Sequence, residues 1–491
     1  MNKEYVMLER MQDTIAAIST AVSESGIGII RISGPQAIDA ASLLFRSPGG
    51  KKNLREVPSH TIHYGFICDP DGQIIDEVLV SVMRSPKTYT AEDTVEINCH
   101  GGVLAMKKVL DAVLHCDRYL HSDCSAKAEE ADIHVRAAQP GEFTKRAFLN
   151  GRIDLSRAEA VMDLIEPKNE FALRNSVSQV RGSLYHRIQD LRERILYQIA
   201  HIEASLDDPE NLDFAPHMEE FGRELQSWIS CVEKMIRTSE DGRLAAEGIR
   251  TVLVGKPNAG KSSFLNLLLG EDRAIVTEVA GTTRDLLTET IHVQGITLLV
   301  TDTAGIRDTE DKVEKIGVQR AEQSVKDADL LLWIADSSAD LDENDERIAA
   351  LLSGRRSIIL LNKTDLEEKC GEQDIRELMR NDTSDDPVII PFSAKEGTGY
   401  EELVQVLKDL FFHGKLTWND EVVITNVRHK AMLEQALDSL RRAMDSYRAR
   451  MSEDFLSIDL MSAYEALGAI LGEEVGEDLV NEIFDRFCMG K

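Results

Sequence analysis

The run GKPNAGKSS, which begins at Gly255, constrains the fold of this chain more than any other stretch. It fits the pattern Gly-x-x-x-x-Gly-Lys-Ser and comes directly after the apolar run IRTVLV. The glycines of such a loop let backbone N–H groups surround phosphates, the lysine reaches the β and γ oxygens, and the serine hydroxyl binds Mg²⁺. The sequence therefore predicts a strand, a phosphate-binding loop and a helix at this point of the chain.

Four more short motifs follow this loop in order. They are GTTRD at 281–285, DTAG at 302–305, NKTD at 362–365 and SAK at 393–395. A carboxylate such as Asp365 can accept two hydrogen bonds from guanine that adenine cannot supply, and a buried site built for such bonds discriminates strongly. We therefore predict a GTP-binding domain. The residues that the motifs assign to the nucleotide are Asn258, Ala259, Gly260, Lys261, Ser262, Ser263, Gly281, Thr282, Thr283, Asp302, Thr303, Ala304, Gly305, Asn362, Lys363, Asp365, Ser393, Ala394 and Lys395.

One residue expected of a Ras-like GTPase is missing. In those proteins a glutamine soon after the glycine of the Asp-x-x-Gly motif orients the attacking water. Here Ile306 follows Gly305, and an apolar side chain offers a water no hydrogen bond. Either this protein hydrolyses GTP poorly, or its catalytic group comes from elsewhere.

The pattern of apolar residues divides the chain into three kinds of sequence. Residues 1–150 mix short apolar runs with turn residues, which predicts an α+β domain. Residues 248–412 alternate buried-strand runs with helix-length spacers, which predicts a parallel sheet. Helices are predicted for residues 151–247 and 413–491. In the first of these ranges, apolar residues at steps of three and four trace one helix face from Val177 to Ile202. Because a domain whose ends lie close can be inserted into another, we expect one helical bundle interrupted by the α/β domain.

The charge balance and the cysteines limit the class of protein. The chain has 56 Lys and Arg residues against 86 Asp and Glu residues, for a formal net charge of −30. This charge disfavours a protein held to nucleic acid mainly by counterion release, although a local basic patch stays open. The 7 cysteines form no CxxC pair and indicate reduced thiols. The N-terminus lacks signal-peptide character, and the apolar run LLLWIA is too short for a bilayer, so we expect a cytoplasmic protein without a membrane partner.

Several blocks of the sequence together resemble one family. They are AIVTEVAGTTRD at 274–285, DTAGIRDTEDKVEKIG at 302–317, the runs GIGIIRISG, VEINCHGG and PGEFTKRAFLNGRIDLSRAEAVMDLI near the N-terminus, and the terminal FCMGK. On these motifs essentially the whole chain resembles the bacterial tRNA uridine-5-carboxymethylaminomethyl modification GTPases (MnmE/TrmE family). The resemblance implies a multidomain α/β protein with an α+β folate-binding and dimerising N-terminal domain, a discontinuous helical bundle that ends in CxGK, and an inserted Ras-like P-loop G-domain.

The resemblance also implies a substitute for the missing glutamine. Family members use K⁺, G-domain dimerisation and a glutamate downstream of DTAG, which by position is Glu314. A K⁺ ion bridging the side-chain oxygen of Asn258 to the phosphates would stabilise charge that develops between the β and γ phosphates. The implied metal ligands are Asn258, Thr277, Val279 and Thr282 for K⁺, and Ser262 and Thr283 for Mg²⁺. The implied nucleotide segment also contains Thr277, Glu278, Val279 and Ala280.

A one-carbon site is implied for the first domain. Tetrahydrofolate has an aminopyrimidine edge that suits a carboxylate and a glutamate tail that suits cations, and charge-assisted hydrogen bonds are the strong ones. By resemblance the folate-binding residues are Arg31, Glu96, Arg152 and the terminal Lys491. Without the resemblance, a lone Arg or Glu on a strand indicates only a solvated edge. For Cys488 two interpretations stay open, a redox or nucleophilic thiol and a structural thiol.

The resemblance implies a K⁺-activated GTPase that acts with a flavin-dependent partner of the MnmG family in a heterotetramer. The pair would form a carboxymethylaminomethyl or aminomethyl group at C5 of the wobble uridine of certain tRNAs, using a 5-formyl or 5,10-methylene tetrahydrofolate. GTP hydrolysis would open and close a homodimer. Two other classes stay open: a ribosome-assembly GTPase of the Era or Der type, and a folate-dependent methyltransferase-like enzyme with a regulatory G-domain.

Overall fold

The computed structural model describes residues 13–50, 52–121, 133–165, 167–208, 215–271, 288–302, 325–379, 387–412, 423–473, 475–485, 487–488 and 490. The chain divides into two compact units. Unit 1 comprises Met1–Met162, Gln179–Glu193 and Leu467–Lys491, and unit 2 comprises Asp163–Ser178 and Arg194–Ala466. Among the residues described, no helix has both the length and the apolar character that crossing a bilayer demands.

Both units contain strands and helices. The strands are β1 (Thr14–Ile18), β2 (Ile27–Ser33), β3 (Phe45–Arg46), β4 (Thr61–Cys68), β5 (Ile74–Met83), β6 (Thr94–His100), β7 (Val135–Ala137), β8 (Ile249–Val254), β9 (Thr288–Val293), β10 (Ile296–Asp302), β11 (Leu330–Asp336), β12 (Ser357–Asn362) and β13 (Val388–Pro391). The helices are α1 (Ala37–Leu44), α2 (Val103–Leu114), α3 (Glu142–Leu149), α4 (Leu155–Ile165), α5 (Glu170–Val180), α6 (Ser183–Asp207), α7 (Met218–Glu247), α8 (Lys261–Glu271), α9 (Glu343–Leu352), α10 (Glu372–Met379), α11 (Tyr400–Phe412), α12 (Val427–Arg448), α13 (Glu453–Leu471) and α14 (Glu477–Phe484).

Unit 1 is built on a seven-stranded sheet in the order β3-β4-β5-β6-β2-β1-β7. Neighbouring strands are antiparallel except β1 and β7, which are parallel. Because side chains alternate between the two faces of a strand, β2 sends Ile30 and Ile32 into the main core with Met106 of α2. It sends Arg31 to the opposite face, near the fully buried Phe143 of α3. The α+β domain predicted from the sequence is confirmed.

The single helix predicted from Val177 to Ile202 is wrong at one point. The structure ends α5 at Val180 and begins α6 at Ser183, and Gly182 between them has a φ of 92°. A side chain at Gly182 would be strained at this φ, and its Cβ would lie 2.0 Å from the guanidinium of Arg157. The apolar steps continue across this turn, so periodicity alone did not reveal it.

Helices from either side of the α/β segment pack together in unit 2. Helix α7 lies against α12, where the ring centroids of Phe221 and Tyr447 are 6.1 Å apart and Arg441 pairs with Glu233 at 2.8 Å. Gly222 permits this approach, because a Cβ there would lie 2.4 Å from the Tyr447 ring. Helices α7 and α12, one from each side of the α/β segment, therefore belong to one discontinuous bundle.

The α/β segment forms a six-stranded sheet in the order β13-β12-β11-β8-β10-β9. All neighbouring strands are parallel except β9, which is antiparallel to β10. Alternation along β11 places Leu332 in a core with Phe264 of α8, and Trp333 in a second core with Ile375 of α10. The sheet is thus covered by helices on both faces, and in such folds ligands bind beyond the carboxyl ends of the strands.

Candidate functional site

The phosphate-binding loop joins the end of β8 to the start of α8, at the carboxyl edge of the sheet. Gly260 has a φ of 104°, and a Cβ there would lie 2.1 Å from Nδ2 of Asn362. Gly255 has a φ of 153°, and its Cβ would lie 2.5 Å from the backbone oxygen of Ile334. Residues with a Cβ rarely adopt such φ values. The two glycines of the sequence pattern are therefore required by the fold as well as by access to phosphate.

The ammonium of Lys261 supplies the positive charge of this loop. Lys261 is 8% exposed, and its Nζ donates hydrogen bonds to the backbone oxygens of Gly255 at 2.6 Å and Lys256 at 2.9 Å. It is also the first residue of α8, whose N-terminus favours an anion through the helix dipole and its unpaired N–H groups. Asn258 of the same loop has a left-handed φ of 63°. The arrangement suits a polyphosphate.

Asn362 links the phosphate-binding loop to the SAK motif. Its side chain is 2% exposed. Nδ2 donates to the backbone oxygen of Ala259 at 2.7 Å, and Oδ1 accepts from the backbone N–H of Ala394 at 2.9 Å. The side chain thus fixes the distance between a phosphate loop and a base loop that lie far apart in the sequence.

Asp365, the last residue of the NKTD motif, contacts the SAK motif. Its Oδ1 accepts a hydrogen bond from the Ser393 hydroxyl at 2.9 Å, and its Oδ2 is 3.7 Å from Nζ of Lys395. The hydrogen bond from Ser393 holds the pKa of the Asp365 carboxyl below its usual value. An ionised carboxylate with a remaining acceptor position is what recognition of the guanine edge requires.

Two ion pairs that the sequence did not reveal brace these loops. Lys363, which has a φ of 72°, hydrogen-bonds Asp336 at the end of β11. Burial acts to raise the pKa of Asp336, but the hydrogen bonds from Lys363 and Ser338 outweigh it and lower that pKa. Nζ of Lys256 lies 2.6 Å from Oδ2 of Asp345, which is almost fully buried in the first turn of α9. The capping pattern LDENDER marks that turn in the sequence, but nothing local identifies its lysine partner.

The remaining predicted nucleotide residues are only partly within the described structure. Ser262 and Ser263 lie in the first turn of α8. Asp302 ends β10 and pairs in register with Leu253 of β8, so the DTAG motif starts beside the strand that leads into the phosphate loop. The predicted site residues outside the described residues are Thr277, Glu278, Val279, Ala280, Gly281, Thr282, Thr283, Thr303, Ala304, Gly305, Glu314 and Lys491.

The structure brings two of the predicted folate residues into direct contact on the sheet of unit 1. Arg31 of β2 and Glu96 of β6 are cross-strand partners. Nε of Arg31 donates to Oε1 of Glu96 at 2.9 Å, and Nη2 lies 2.8 Å from the same oxygen. Both side chains are partly exposed, so solvent can reach the pair.

Tyr89 joins Arg152 to this pair, and sequence analysis did not single it out. The guanidinium carbon of Arg31 lies 5.6 Å from the centroid of the Tyr89 ring, and that of Arg152 lies 5.2 Å from it. The Tyr89 hydroxyl is 2.8 Å from the Thr144 hydroxyl of α3. Burial raises the pKa of Tyr89, so the ring stays neutral. One aromatic ring therefore positions two arginines. We call Arg31, Arg152 and Glu96 together the arginine cluster.

The end of the chain reaches the same place. The backbone oxygen of Gly490 accepts hydrogen bonds from the Ser19 hydroxyl at 3.0 Å and from Nη1 of Arg31 at 3.5 Å. Gly490 has a φ of 87°, and a Cβ there would lie 2.2 Å from the backbone oxygen of Ile18. The glycine of the terminal CxGK motif is thus needed to dock the chain end beside Arg31. Cys488 is exposed, and its backbone oxygen accepts from the N–H of Gly141.

The fold and the nucleotide loops define a P-loop GTP-binding protein with an added α+β unit and a discontinuous helical bundle. A family model described as MnmE helical domain matches residues 155–488, and one described as GTP-binding protein TrmE N-terminus matches residues 14–152. The chain therefore belongs to the MnmE (TrmE) family of tRNA modification GTPases, and it is an enzyme of that class.

Relatives in this family match over almost their full length. The tRNA modification GTPase MnmE of Lachnoclostridium phytofermentans is 48% identical over 479 residues, which are 98% of this chain and 99% of that protein. The protein of the same name from Geobacillus kaustophilus is 46% identical over 481 residues, with 98% and 99% covered. The one from Acetivibrio thermocellus is 44% identical over 485 residues, again with 98% and 99% covered.

Proposed function

We propose that this protein is a K⁺-activated, Mg²⁺-dependent GTPase that modifies C5 of the wobble uridine of certain tRNAs together with a flavin-dependent partner of the MnmG family. The added group is carboxymethylaminomethyl or aminomethyl, and its methylene carbon comes from a 5-formyl or 5,10-methylene tetrahydrofolate. GTP hydrolysis is coupled to dimerisation of the G-domains, and the complex is a cytoplasmic heterotetramer. Membership of a family of tRNA modification GTPases supports this substrate class.

The arginine cluster is the observation that carries the one-carbon part of the proposal. Both contacts from Arg31 go to Oε1 of Glu96, so Oε2 has no hydrogen-bond partner among the described residues. That oxygen can accept from the N–H groups of an aminopyrimidine edge. Arg152 is exposed and can pair with the carboxylates of a glutamate tail. A carboxylate, an aromatic face and two cations in one place match the chemistry of a folate better than that of a plain surface salt bridge.

At the nucleotide, each implied role has a physical reason. Lys261 and the N-terminus of α8 neutralise phosphate charge, and Ser262 with Thr283 holds Mg²⁺. Asn258 with Thr277, Val279 and Thr282 holds K⁺, which supplies the charge stabilisation that an arginine finger gives elsewhere. Glu314 is the carboxylate that the resemblance assigns to orient the attacking water, a role that the apolar side chain of Ile306 cannot fill. Asp365 selects guanine.

An exposed apolar face in unit 1 supports a homodimer through residues 1–150. Ile62 of β4 is 65% exposed, and Tyr64 and Leu79, which are cross-strand partners on the same face, are also exposed. Large apolar side chains grouped on one sheet face are characteristic of protein interfaces. Register along β5, β6 and β2 continues this face to Glu96 and Arg31. A second copy on this face would therefore lie next to the arginine cluster.

The proposal is tested by GTP hydrolysis in K⁺ buffer and in matched Na⁺ buffer. We expect strong activity in K⁺ only, and its loss in Glu314→Ala. Glu310→Ala, which removes a carboxylate four residues earlier in the same segment, is the matched control and should keep the wild-type rate. Equal rates in the two salts, or an active Glu314→Ala protein, would remove K⁺ and Glu314 from the mechanism. A binding switch of the Era or Der type would then be the better description.

A further inference from the structure

A cavity of about 550 Å³ opens at the amino edge of the unit 2 sheet, the edge opposite the nucleotide loops. Its walls come from the end of α7, the segment before β11 and the turn between α9 and β12. The lining residues that matter here are Arg243, Lys326, Asp329, Arg355 and Arg356. We call this cavity the basic pocket, since four of these five residues are cations.

The acidic residue in the basic pocket is already neutralised. Asp329 pairs with Arg250 at 3.0 Å and with Arg243 at 3.4 Å. Burial acts to raise the pKa of Asp329, but the hydrogen bonds from Arg250 outweigh it and lower that pKa. Arg243 also reaches Glu247 at 3.2 Å. Asp329 therefore stays ionised and paired with Arg243 and Arg250, and Glu247 is paired with Arg243. Neither acid forms an ion pair with the other three cations of the pocket.

Those three cations, Lys326, Arg355 and Arg356, have no ion pair within the part of the chain that the structure describes, and all three are exposed. Arg355 donates to the backbone oxygen of Val325, and the guanidinium of Arg356 lies 5.5 Å from the centroid of the Phe411 ring. Neither interaction removes charge. The dipole of a helix favours a cation beyond its C-terminus, which accounts for Arg355 after α9. The dipole does not explain why three segments of the chain meet around one cavity.

We propose that the basic pocket binds the phosphate backbone of the tRNA substrate, an inference that rests on the proposed function. A chain with a net charge of −30 repels a polyanion over most of its surface, so its RNA contact has to be concentrated where cations cluster. Guanidinium groups match phosphate oxygens in geometry as well as charge. Because the pocket and the P-loop lie at opposite edges of one sheet, RNA and GTP phosphates do not compete. Such contacts position the RNA and make binding salt-dependent.

The test measures binding of labelled tRNA to the full-length protein by fluorescence anisotropy over a series of KCl concentrations. Lys326→Gln with Arg356→Gln removes two cations of the basic pocket. Arg347→Gln with Lys369→Gln removes two exposed cations outside the pocket and is the matched control. For the pocket variant we expect the slope of log K against the logarithm of the salt concentration to fall in magnitude by about 2, one for each phosphate that is no longer neutralised. We also expect tRNA affinity near 0.1 M salt to fall about tenfold or more. The control should bind as wild type does, and both should keep the RNA-free GTPase rate.

An unchanged affinity and salt dependence in the pocket variant, or an equally weakened control, would overturn the inference. Lys326→Glu alone is the second variant in case the double variant unfolds, because Lys326 is exposed and its replacement breaks no packing. If the wild type binds tRNA and the pocket variants match it, the pocket fails and the proposed function stands. If the wild type binds no tRNA at any salt concentration, the tRNA substrate and the pocket both fail.

Discussion

The substitution Gly260→Ala tests the geometry of the phosphate-binding loop most directly. Gly260 has a φ of 104°, and the added Cβ would lie 2.1 Å from Nδ2 of Asn362. That nitrogen donates to the backbone oxygen of Ala259 at 2.7 Å, inside a region from which solvent is excluded. One methyl group therefore strains the loop and displaces the side chain that links it to the base site.

The cost can be worked out from these two effects. A residue with a Cβ pays about 1–2 kcal/mol in a left-handed conformation. Leaving the buried amide of Asn362 and its acceptor unpaired costs about 1–3 kcal/mol. Together these effects destabilise the loop conformation that binds phosphate by about 2–5 kcal/mol. Since every 1.4 kcal/mol is tenfold in affinity, GDP binding should weaken by about 30-fold or more.

A fluorescent GDP analogue titrated into the nucleotide-free protein measures this change. Gly270→Ala is the matched control, because Gly270 lies in α8 and, apart from its own turn of helix, nothing lies within 4 Å of a Cβ built there. The same methyl group at that position should leave GDP affinity unchanged and stabilise the helix by about 0.5–1 kcal/mol. Unchanged GDP binding in Gly260→Ala, or equal weakening in the two variants, would refute the assignment of Gly260 to a strained, sterically closed position.

Two further predictions concern unit 1. Tyr89→Leu should weaken binding of 5-formyl tetrahydrofolate by about tenfold in calorimetry, because it removes two cation–π contacts worth about 0.5–1 kcal/mol each. Tyr89→Phe keeps the ring and should keep most of the affinity. Equal weakening in the two variants would contradict the role of the ring. Burial raises the pKa of the Cys99 thiol to about 11, so at pH 8 little reactive thiolate is present. In mass spectrometry after thiol alkylation at pH 8, the exposed Cys488 should be modified while Cys99 is not, with Cys99 reacting only as the pH approaches 11. Equal labelling of both would show that Cys99 is accessible.

The sequence is enough to predict the nucleotide loops because each motif is local. Loop residues such as Gly260, Lys261 and Asp365 belong to short patterns whose chemistry does not depend on the rest of the fold. The sheet was predicted for a similar reason, since its parallel strands are continuous apolar runs. Strand β9 was missed, because TETIHV alternates polar and apolar residues and lies at the sheet edge. An edge strand needs no continuous apolar run.

The arginine cluster could be assembled only from the fold. Arg31 and Glu96 are neighbours because β2 and β6 pair in one particular register, and a shift of one residue would send them to opposite faces. Tyr89 carries no motif, and its importance appears only once Arg31 and Arg152 lie against its ring. The resemblance named the charged residues of this site, but it did not identify the aromatic residue that holds them in place.

Asn169 makes hydrogen bonds that no local sequence pattern predicts. In the sequence it precedes α5, where its side chain accepts from the backbone N–H of Ala172 as a helix cap would. In the structure its Nδ2 also donates to the backbone oxygen of Ala245 at 2.7 Å and to the Thr297 hydroxyl at 2.9 Å. One amide thus ties the start of α5 to the end of α7 and to the start of β10. Because β10 ends at Asp302, this one amide fixes α5 and α7 to the strand that leads into the DTAG motif.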